Sequence, residues 1–593
     1  MPDRFSVLDA PNTTYLWTQL LVEELIRNGV DTFFVAPGSR STPLTVAAAR
    51  HPEAETVLHV DERGNAFAAL GCGRATQTLA AWITTSGTAV ANGQPAVVEA
   101  SVDGVPLLLL TADRPPELRD TGANQTIDQV KIFGDYVRWQ VGVPPPTVEI
   151  DPAYVLTTTN QAVHRARRAP AGPVHVNCMF RKPLEPVETE TSVTVPASVE
   201  EWAAGTDPYT QYPTPVSRPS GAEVEAVAEK LGGSEKGLVV AGRLDSAAAA
   251  DATQRLASHL GWPLVPDLTS RLRLGGRQGA GRVPYGDLVL TSEVFREAHA
   301  PEAVLQVGGR FASKRLRLFL RDTAPQTWAV VRPDPSRIDP DHRVTHHVEA
   351  DVPAFAEALI ARLDGGGGAT DWRKSWTTAS DRAESVVRTH AEDTDALTEP
   401  LVATVLTDEM PQSHALVAAS SMPVRDLNRH GSTEGATGPA YANRGASGID
   451  GTVATAAGIA TGRDGPVTLL IGDLALWHDL NGLALLQDRP VIVVVVNNDG
   501  GGIFHFLPIR EYDDFDPYFT TPHGRNFEDA AATFDLPYYR PEMPEDFRAV
   551  YDEACRSGAS ALIEVQTDRE TNRQVHKALE EEVAVTVGQD PAG

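Results

Sequence analysis

The 593-residue chain is short of cysteine, short of lysine and without a long hydrophobic run. Its three cysteines, Cys72, Cys178 and Cys555, lie far apart with no CxxC pair, which speaks against a disulfide framework or a zinc knuckle. The longest apolar runs, VPLLLL (105–110) and VIVVVV (491–496), fall far below the roughly 20 residues a helix needs to span a bilayer. The opening stretch MPDRFSVLDAPNTTYLW lacks the basic-then-apolar pattern of an export signal, so the chain reads as soluble and cytoplasmic. Basic residues number 51 against 79 acidic ones, a net charge of −28, and this deficit argues against a nucleic-acid-binding face. Only seven of the basic residues are lysines. Low lysine with abundant Ala, Asp and Thr points to a salty cytosol, where salt screens the self-repulsion of an acidic protein.

What is present is a globular composition, 42% hydrophobic, in a chain too long for one core. Three segments repeat one style. In the first, strand-like TFFVA (32–36), TVLHV (56–60), AAWITTS (80–86) and VPLLLL alternate with Ala-rich helical stretches, ending near GPVHVNCMF (172–180). A stretch rich in Pro, Thr and Glu follows and reads as an extended linker. The second segment carries GLVVAG (237–242), WPLVPDL (262–268), AVLQVGG (303–309) and TWAVVRP (327–333), and closes at four glycines, 365–368, that read as a flexible joint. The third has HALVAAS (414–420), VTLLIGD (467–473), VIVVVVNN (491–498) and SALIEVQT (560–567). This βαβ rhythm predicts three doubly wound α/β domains with parallel sheets, over 1–190, 205–364 and 370–593.

Ligands bind open parallel sheets outside the carboxyl ends of the strands. Asp473 follows one apolar strand and Asn498 the next, before three glycines. A carboxylate, an amide oxygen and a backbone carbonyl are hard ligands suited to Mg²⁺, with Mn²⁺ as a substitute, rather than to zinc. The turn Gly472-Asp473-Leu474 places backbone amides where a diphosphate could sit. Gly-Asp followed by Asn-Asn resembles the thiamine-diphosphate motif, in which Asp473, Asn498 and the Gly500 carbonyl would hold the metal. In the first segment, VLHVDERGNAF sets Glu62 just past a strand at the start of a helix, where thiamine-diphosphate enzymes keep the glutamate that bonds the aminopyrimidine ring and activates the cofactor.

FVAPGSRSTPL, DERG, TSGTAVAN, LLTADRPPELRDTGANQTI, NRGASGIDG and VVNNDGGGIF stand in this order along the chain. Together they resemble the menaquinone-pathway family of 2-succinyl-5-enolpyruvyl-6-hydroxy-3-cyclohexene-1-carboxylate synthases. That resemblance covers nearly the whole chain and accounts for Leu474, since the family also lacks a third glycine there. It implies a transferase that joins 2-oxoglutarate to isochorismate with loss of CO₂, working as a homodimer or homotetramer in which one subunit's first domain and another's third share the cofactor. By motif the resemblance also implies anion-binding residues: Ser39 and Arg40, Arg114, Asn124 and Gln125, Lys314 and Arg315, Ser421 and Arg425, and Arg444. Ile449, Ile503, Phe504 and Leu507 would form an apolar wall around the cofactor.

Other readings share part of the pattern. An acetolactate synthase or an oxoacid decarboxylase would carry the metal clamp and Glu62 but not GSRSTPL or NRGASGIDG. A nicotinamide dehydrogenase shares only the α/β rhythm, and GCGRAT (71–76) lacks the third glycine and lies in a helical stretch. A non-catalytic binding protein would not need Glu62. His342, His346 and His347 have metal-like spacing but fall in a strand-like run and read as surface histidines.

At a charge of −28 the folded chain repels itself at low ionic strength, and exposed charges are screened only beyond about 10 Å at 0.1 M salt. The melting temperature should therefore rise from low salt to molar KCl in a calorimetric scan. Equal values would rule out adaptation to salt.

Overall fold

The computed structural model describes residues 6–189, 195–213, 215–275, 279–363, 370–435 and 438–589. The four glycines 365–368 and part of the Pro/Thr/Glu-rich linker lie outside the described residues.

Three parallel sheets carry the fold. The first comprises β1 (Thr32–Val35), β2 (Glu55–Leu58), β3 (Ala80–Thr84), β4 (Leu107–Asp113), β5 (Trp139–Val143) and β6 (Pro173–Met179), in the order β2-β1-β3-β4-β6-β5. The second has β7 (Gly237–Ala241), β8 (Leu264–Pro266), β9 (Ala303–Val307), β10 (Thr327–Arg332) and β11 (His346–Glu349), ordered β11-β10-β9-β7-β8. The third has β12 (Ala415–Ala418), β13 (Ala440–Ala442), β14 (Val467–Gly472), β15 (Val491–Asn497), β16 (Tyr538–Tyr539) and β17 (Ala561–Gln566), ordered β13-β12-β14-β15-β17-β16. Central strands such as β3, β4, β12 and β15 are buried at every residue. A strand covered on both faces must be apolar throughout, which is why these appear in the sequence as unbroken hydrophobic runs.

Strand order reverses between β1 and β3 in the first sheet and between β12 and β14 in the third. Such switch points open a crevice at the strands' carboxyl ends. In the first sheet the chain leaves β1 toward Ser39 and Arg40 and leaves β3 toward Ser86. In the third it leaves β12 toward Ser421 and β14 toward Asp473. Gly472 pairs with Val496 in the β14–β15 register, so the ends of these strands lie side by side.

The described chain packs as two compact units. The first holds Met1–Pro215, Asn443–Asp464 and Asp479–Arg489 and contains the first sheet; the second holds Val216–Ala442, Gly465–His478 and Pro490–Gly593 and contains the other two. Within the first unit the Glu62–Thr76 helix crosses the Thr452–Arg463 helix at backbone contact. A Cβ added to Gly71 would stand 2.2 Å from the Thr455 carbonyl oxygen, and one on Gly458 would stand 1.9 Å from that of Ala68. The crossing fixes the helix that begins with Glu62. GCGRAT lies within that helix, as the missing third glycine suggested.

Gly458→Val should lower the unfolding free energy by about 1–3 kcal/mol, the usual cost of forcing extra atoms into a filled contact. Gly233→Ala, where an added Cβ meets nothing within 4 Å, should be close to neutral. Urea unfolding of both variants checks the contrast.

Candidate active site

In the first unit, Asp61 caps the Glu62–Thr76 helix: its Oδ1 accepts from the amides of Arg63 at 3.0 Å and Gly64 at 3.3 Å. The cap holds Glu62 as the first helical residue, half-buried, with its Oε2 accepting from Asn92 Nδ2 at 3.1 Å. The carboxylate is thus oriented by a neutral donor that leaves its other oxygen available.

The same unit gathers Arg40, Arg114, Asn124 and Gln125 around Ser86. Arg114 donates to Ser86 Oγ at 3.2 Å and to the Asn124 carbonyl at 2.9 Å. Gln125 Nε2 donates to the Ser86 carbonyl at 2.9 Å, and Ser86 Oγ donates to the Gln125 carbonyl at 3.1 Å. Arg40 is buried; it donates to the Phe180 carbonyl at 2.8 Å, and its Nε has no hydrogen-bond partner. Burial, then the charge of Arg114, pulls the Arg40 pKa below the usual guanidinium value. Two guanidiniums this close, with a buried donor unspent, make a site for an anion. Ser39 is exposed on the turn just before.

Arg444 and Ile449 also belong to the first unit. Their loop is fastened by Glu99, whose carboxylate accepts from the amides of Gly445 at 2.8 Å and Ala446 at 2.6 Å and pairs with the buried Arg74 at 3.2 Å. Ile449 stays 37% exposed.

In the second unit, Asp473 is buried and fully engaged. Its Oδ1 accepts from the Leu474 amide at 2.6 Å, and its Oδ2 accepts from the Gly500 amide at 2.8 Å and faces His523 Nε2 at 3.1 Å. Burial raises the Asp473 pKa, and these donors work against the rise. Asn498 donates through Nδ2 to Glu399 Oε1 at 2.8 Å, while its Oδ1 is buried with no hydrogen-bond partner. A buried amide oxygen left unmatched asks for a ligand. A Cβ on Gly472 would meet nothing within 4 Å, so there is open space beside the same turn. A held carboxylate, an unspent amide oxygen and adjacent room fit a magnesium ion carrying a diphosphate. Sequence reasoning missed His523 and Glu399, which contact the two candidate ligands; neither stands in a motif with them.

The remaining residues are less closely gathered. Ser421, at φ +73°, precedes the Met422–His430 helix, and Arg425 on that helix donates back to the Ser421 carbonyl. Ile503 and Phe504 lie in the Gly502–Phe506 turn with Leu507 after it, 41% exposed. Lys314 is exposed at the start of the Lys314–Thr323 helix. Arg315 is engaged in ion pairs with Asp287 at 2.6 Å and Glu580 at 2.8 Å. His346 and His347 lie on β11 and His342 precedes it.

Comparison with known proteins defines the class first. Family models described as "Thiamine pyrophosphate enzyme, N-terminal TPP binding domain", "Middle domain of thiamine pyrophosphate" and "Thiamine pyrophosphate enzyme, C-terminal TPP binding domain" match residues 17–132, 194–417 and 429–565. A solved structure described as a thiamin diphosphate-dependent enzyme from Mycobacterium smegmatis shares the fold, with a TM-score of 0.70 at 19% identity, covering 94% of this chain and 100% of that one. More specifically, the chain is 77% identical to the 2-succinyl-5-enolpyruvyl-6-hydroxy-3-cyclohexene-1-carboxylate synthase of Salinibacter ruber, with 98% of each chain covered. It is 53% identical to the synthase of that name from Rubrobacter xylanophilus, covering 96% of this chain and 98% of that one. Identity to the one from Haloarcula marismortui is 40%, covering 98% and 100%. The chain belongs to this synthase family.

His523→Ala should raise the apparent dissociation constants for Mg²⁺ and thiamine diphosphate together by about 10–100-fold, the usual effect of removing a group that orients a metal ligand. Calorimetric titration reads this. Unchanged affinities would remove His523 from the clamp.

Proposed function

We propose that this chain is a thiamine-diphosphate- and magnesium-dependent transferase of menaquinone biosynthesis. It decarboxylates 2-oxoglutarate and adds the succinyl unit to isochorismate, giving 2-succinyl-5-enolpyruvyl-6-hydroxy-3-cyclohexene-1-carboxylate and CO₂. The observation that carries the reading at the site is the partnerless Oδ1 of Asn498 beside the buried, fully oriented Asp473.

Thiamine diphosphate, when bound, supplies the electron sink that lets a 2-oxo acid lose CO₂ and react as a nucleophile at its carbonyl carbon. Asp473, Asn498 and the Gly500 carbonyl would hold the metal, and Gly472 and Leu474 would lie on the diphosphate side. Glu62, held at the helix start with Oε2 hydrogen-bonded to Asn92, would exchange a proton with the bound aminopyrimidine ring, a general acid–base task. Arg40 and Arg114, with Ser39, Asn124, Gln125 and Lys314, receive isochorismate, whose carboxylate needs fork-shaped donors. Arg425 and Arg444, with Ser421, receive the distal carboxylate of 2-oxoglutarate. Arg315, held by Asp287 and Glu580, supports the Lys314 turn. Ile449, Ile503, Phe504 and Leu507 keep water from the reacting carbon. The domains run 1–190, 205–364 and 370–593, the working form is a homodimer or homotetramer with sites shared between subunits, and the enzyme works in the cytoplasm. No described helix is long and apolar enough to cross a membrane.

The experiment is CO₂ release from 2-oxoglutarate by purified protein with Mg²⁺ and thiamine diphosphate. Release should depend on added isochorismate, and Glu62→Gln should lower kcat by about 10²–10⁴-fold, the range for a general acid–base group. Release from pyruvate at a comparable rate would favour an acetolactate-synthase-like activity instead.

A further inference from the structure

The second unit holds a buried cluster for which the proposed reaction has no task. Asp426 and His430 stand four residues apart on the Met422–His430 helix, a spacing that puts both on one face. The Arg569–Gly588 helix carries His576 to the same place. One ligating atom from each of the three lies within 4.8 Å of the other two, and all three side chains are buried.

The hydrogen bonds leave a conflict. His576 Nδ1 lies 2.9 Å from the Asn572 carbonyl, a contact in which it can only donate. In a neutral ring Nε2 then presents a lone pair, yet it faces Asp426 Oδ1 at 2.8 Å. Two acceptors hold that distance only with a cation between them, either a proton or a metal ion. His430 favours the metal. Its side chain is wholly buried, neither ring nitrogen has a hydrogen-bond partner, and its ring stands edge-on to that of His576 at 5.3 Å. A proton shared by His576 and Asp426 would leave both nitrogens of His430 unmatched; a metal ion uses one of them. Glu399 is also buried there and is hydrogen-bonded to Asn498. Two carboxylates and two neutral imidazoles are balanced in charge by one divalent cation.

We propose that Asp426, His430 and His576 form a zinc site separate from the magnesium clamp, with water in the fourth position on the side of Glu399. Two imidazoles and one carboxylate are borderline donors that suit zinc better than magnesium. Bonds of about 2.0–2.2 Å at tetrahedral angles place ligand atoms roughly 3.4 Å apart, so the 2.8 Å Asp426–His576 contact would open and the His430 nitrogen, within 4.8 Å of both, would adjust to match. The way in lies past His576, which is among the residues lining a cavity of about 350 Å³ with Phe506, Arg573 and Lys577.

The test uses the full chain without an affinity tag, and neither substrate nor thiamine diphosphate. After dialysis against micromolar ZnCl₂ with excess MgCl₂ and desalting, elemental analysis should find roughly one zinc per chain. Replacing zinc by CoCl₂ should give the intense visible bands of a four-coordinate ion in the wild-type protein, a readout that requires no variant to fold. His430→Leu, with circular dichroism to verify folding, should lose the zinc, whereas Asp473→Ala should keep it. Wild-type protein without zinc, a cobalt spectrum of the six-coordinate aquo type, His430→Leu with zinc retained, or Asp473→Ala with zinc lost would each overturn the proposal.

Discussion

The hydrogen bond from the Gly500 amide to Asp473 Oδ2, 2.8 Å long, ties the turn after β14 to the turn after β15, and the proposed metal clamp depends on it. It requires a backbone that few residues tolerate. Gly500 adopts φ +131°, and an added Cβ would lie 2.0 Å from the Thr520 carbonyl oxygen. The next amide, of Gly501, donates to that same carbonyl at 2.7 Å. Asp499 completes the fastening, its Oδ1 accepting from the amides of His523 at 2.8 Å and Gly524 at 2.6 Å. The His523 ring thereby reaches Asp473. In the proposed clamp, one run of residues, Asn-Asn-Asp-Gly-Gly, would thus supply a ligand and orient another, and it anchors the loop beside both.

The same region shows how a buried carboxylate is made useful. Asp473 is held by two backbone amides and an imidazole, groups that orient it without matching its full charge. Burial consequently leaves its pKa above the ordinary carboxylate value, and a divalent ion bound there would supply positive charge. Glu399 follows a related logic one step away. Burial and the neighbouring Asp426 push its pKa up to about 7, and it holds Asn498 by the nitrogen, so that the amide oxygen is the atom left free.

Much of this was legible in the sequence, for a physical reason. Strands β4, β14 and β15 are covered on both faces, so they had to be written as continuous apolar runs. Strands β5, β13 and β16 were not anticipated; all three lie at sheet edges, where short, one-sided pairing imposes no such run. Asp473, Asn498 and Glu62 stand out as candidates in the sequence because each follows a strand end in a fixed local pattern. His523, Glu399 and Glu99 do not, because they act on residues 50, 99 and 346 positions away, and nothing local marks them. The ion pairs of Arg315 with Asp287 and Glu580 were likewise not marked by any local pattern. His342, His346 and His347 have the spacing of a metal site without the convergence, while Asp426, His430 and His576 converge with one member drawn from 146 residues further along.

The first unit is not continuous along the chain: Asn443–Asp464 and Asp479–Arg489 belong to it, although more than two hundred residues of the second unit separate them from Pro215. The Thr452–Arg463 helix is the partner against which Gly71 and Ala68 close. On the ribosome, therefore, the first sheet emerges early but waits for residues made much later before its helix 62–76 is covered. Until synthesis passes Arg463, the partner of that helix does not exist, and its glycine-rich face stays uncovered while more than half of the chain is made.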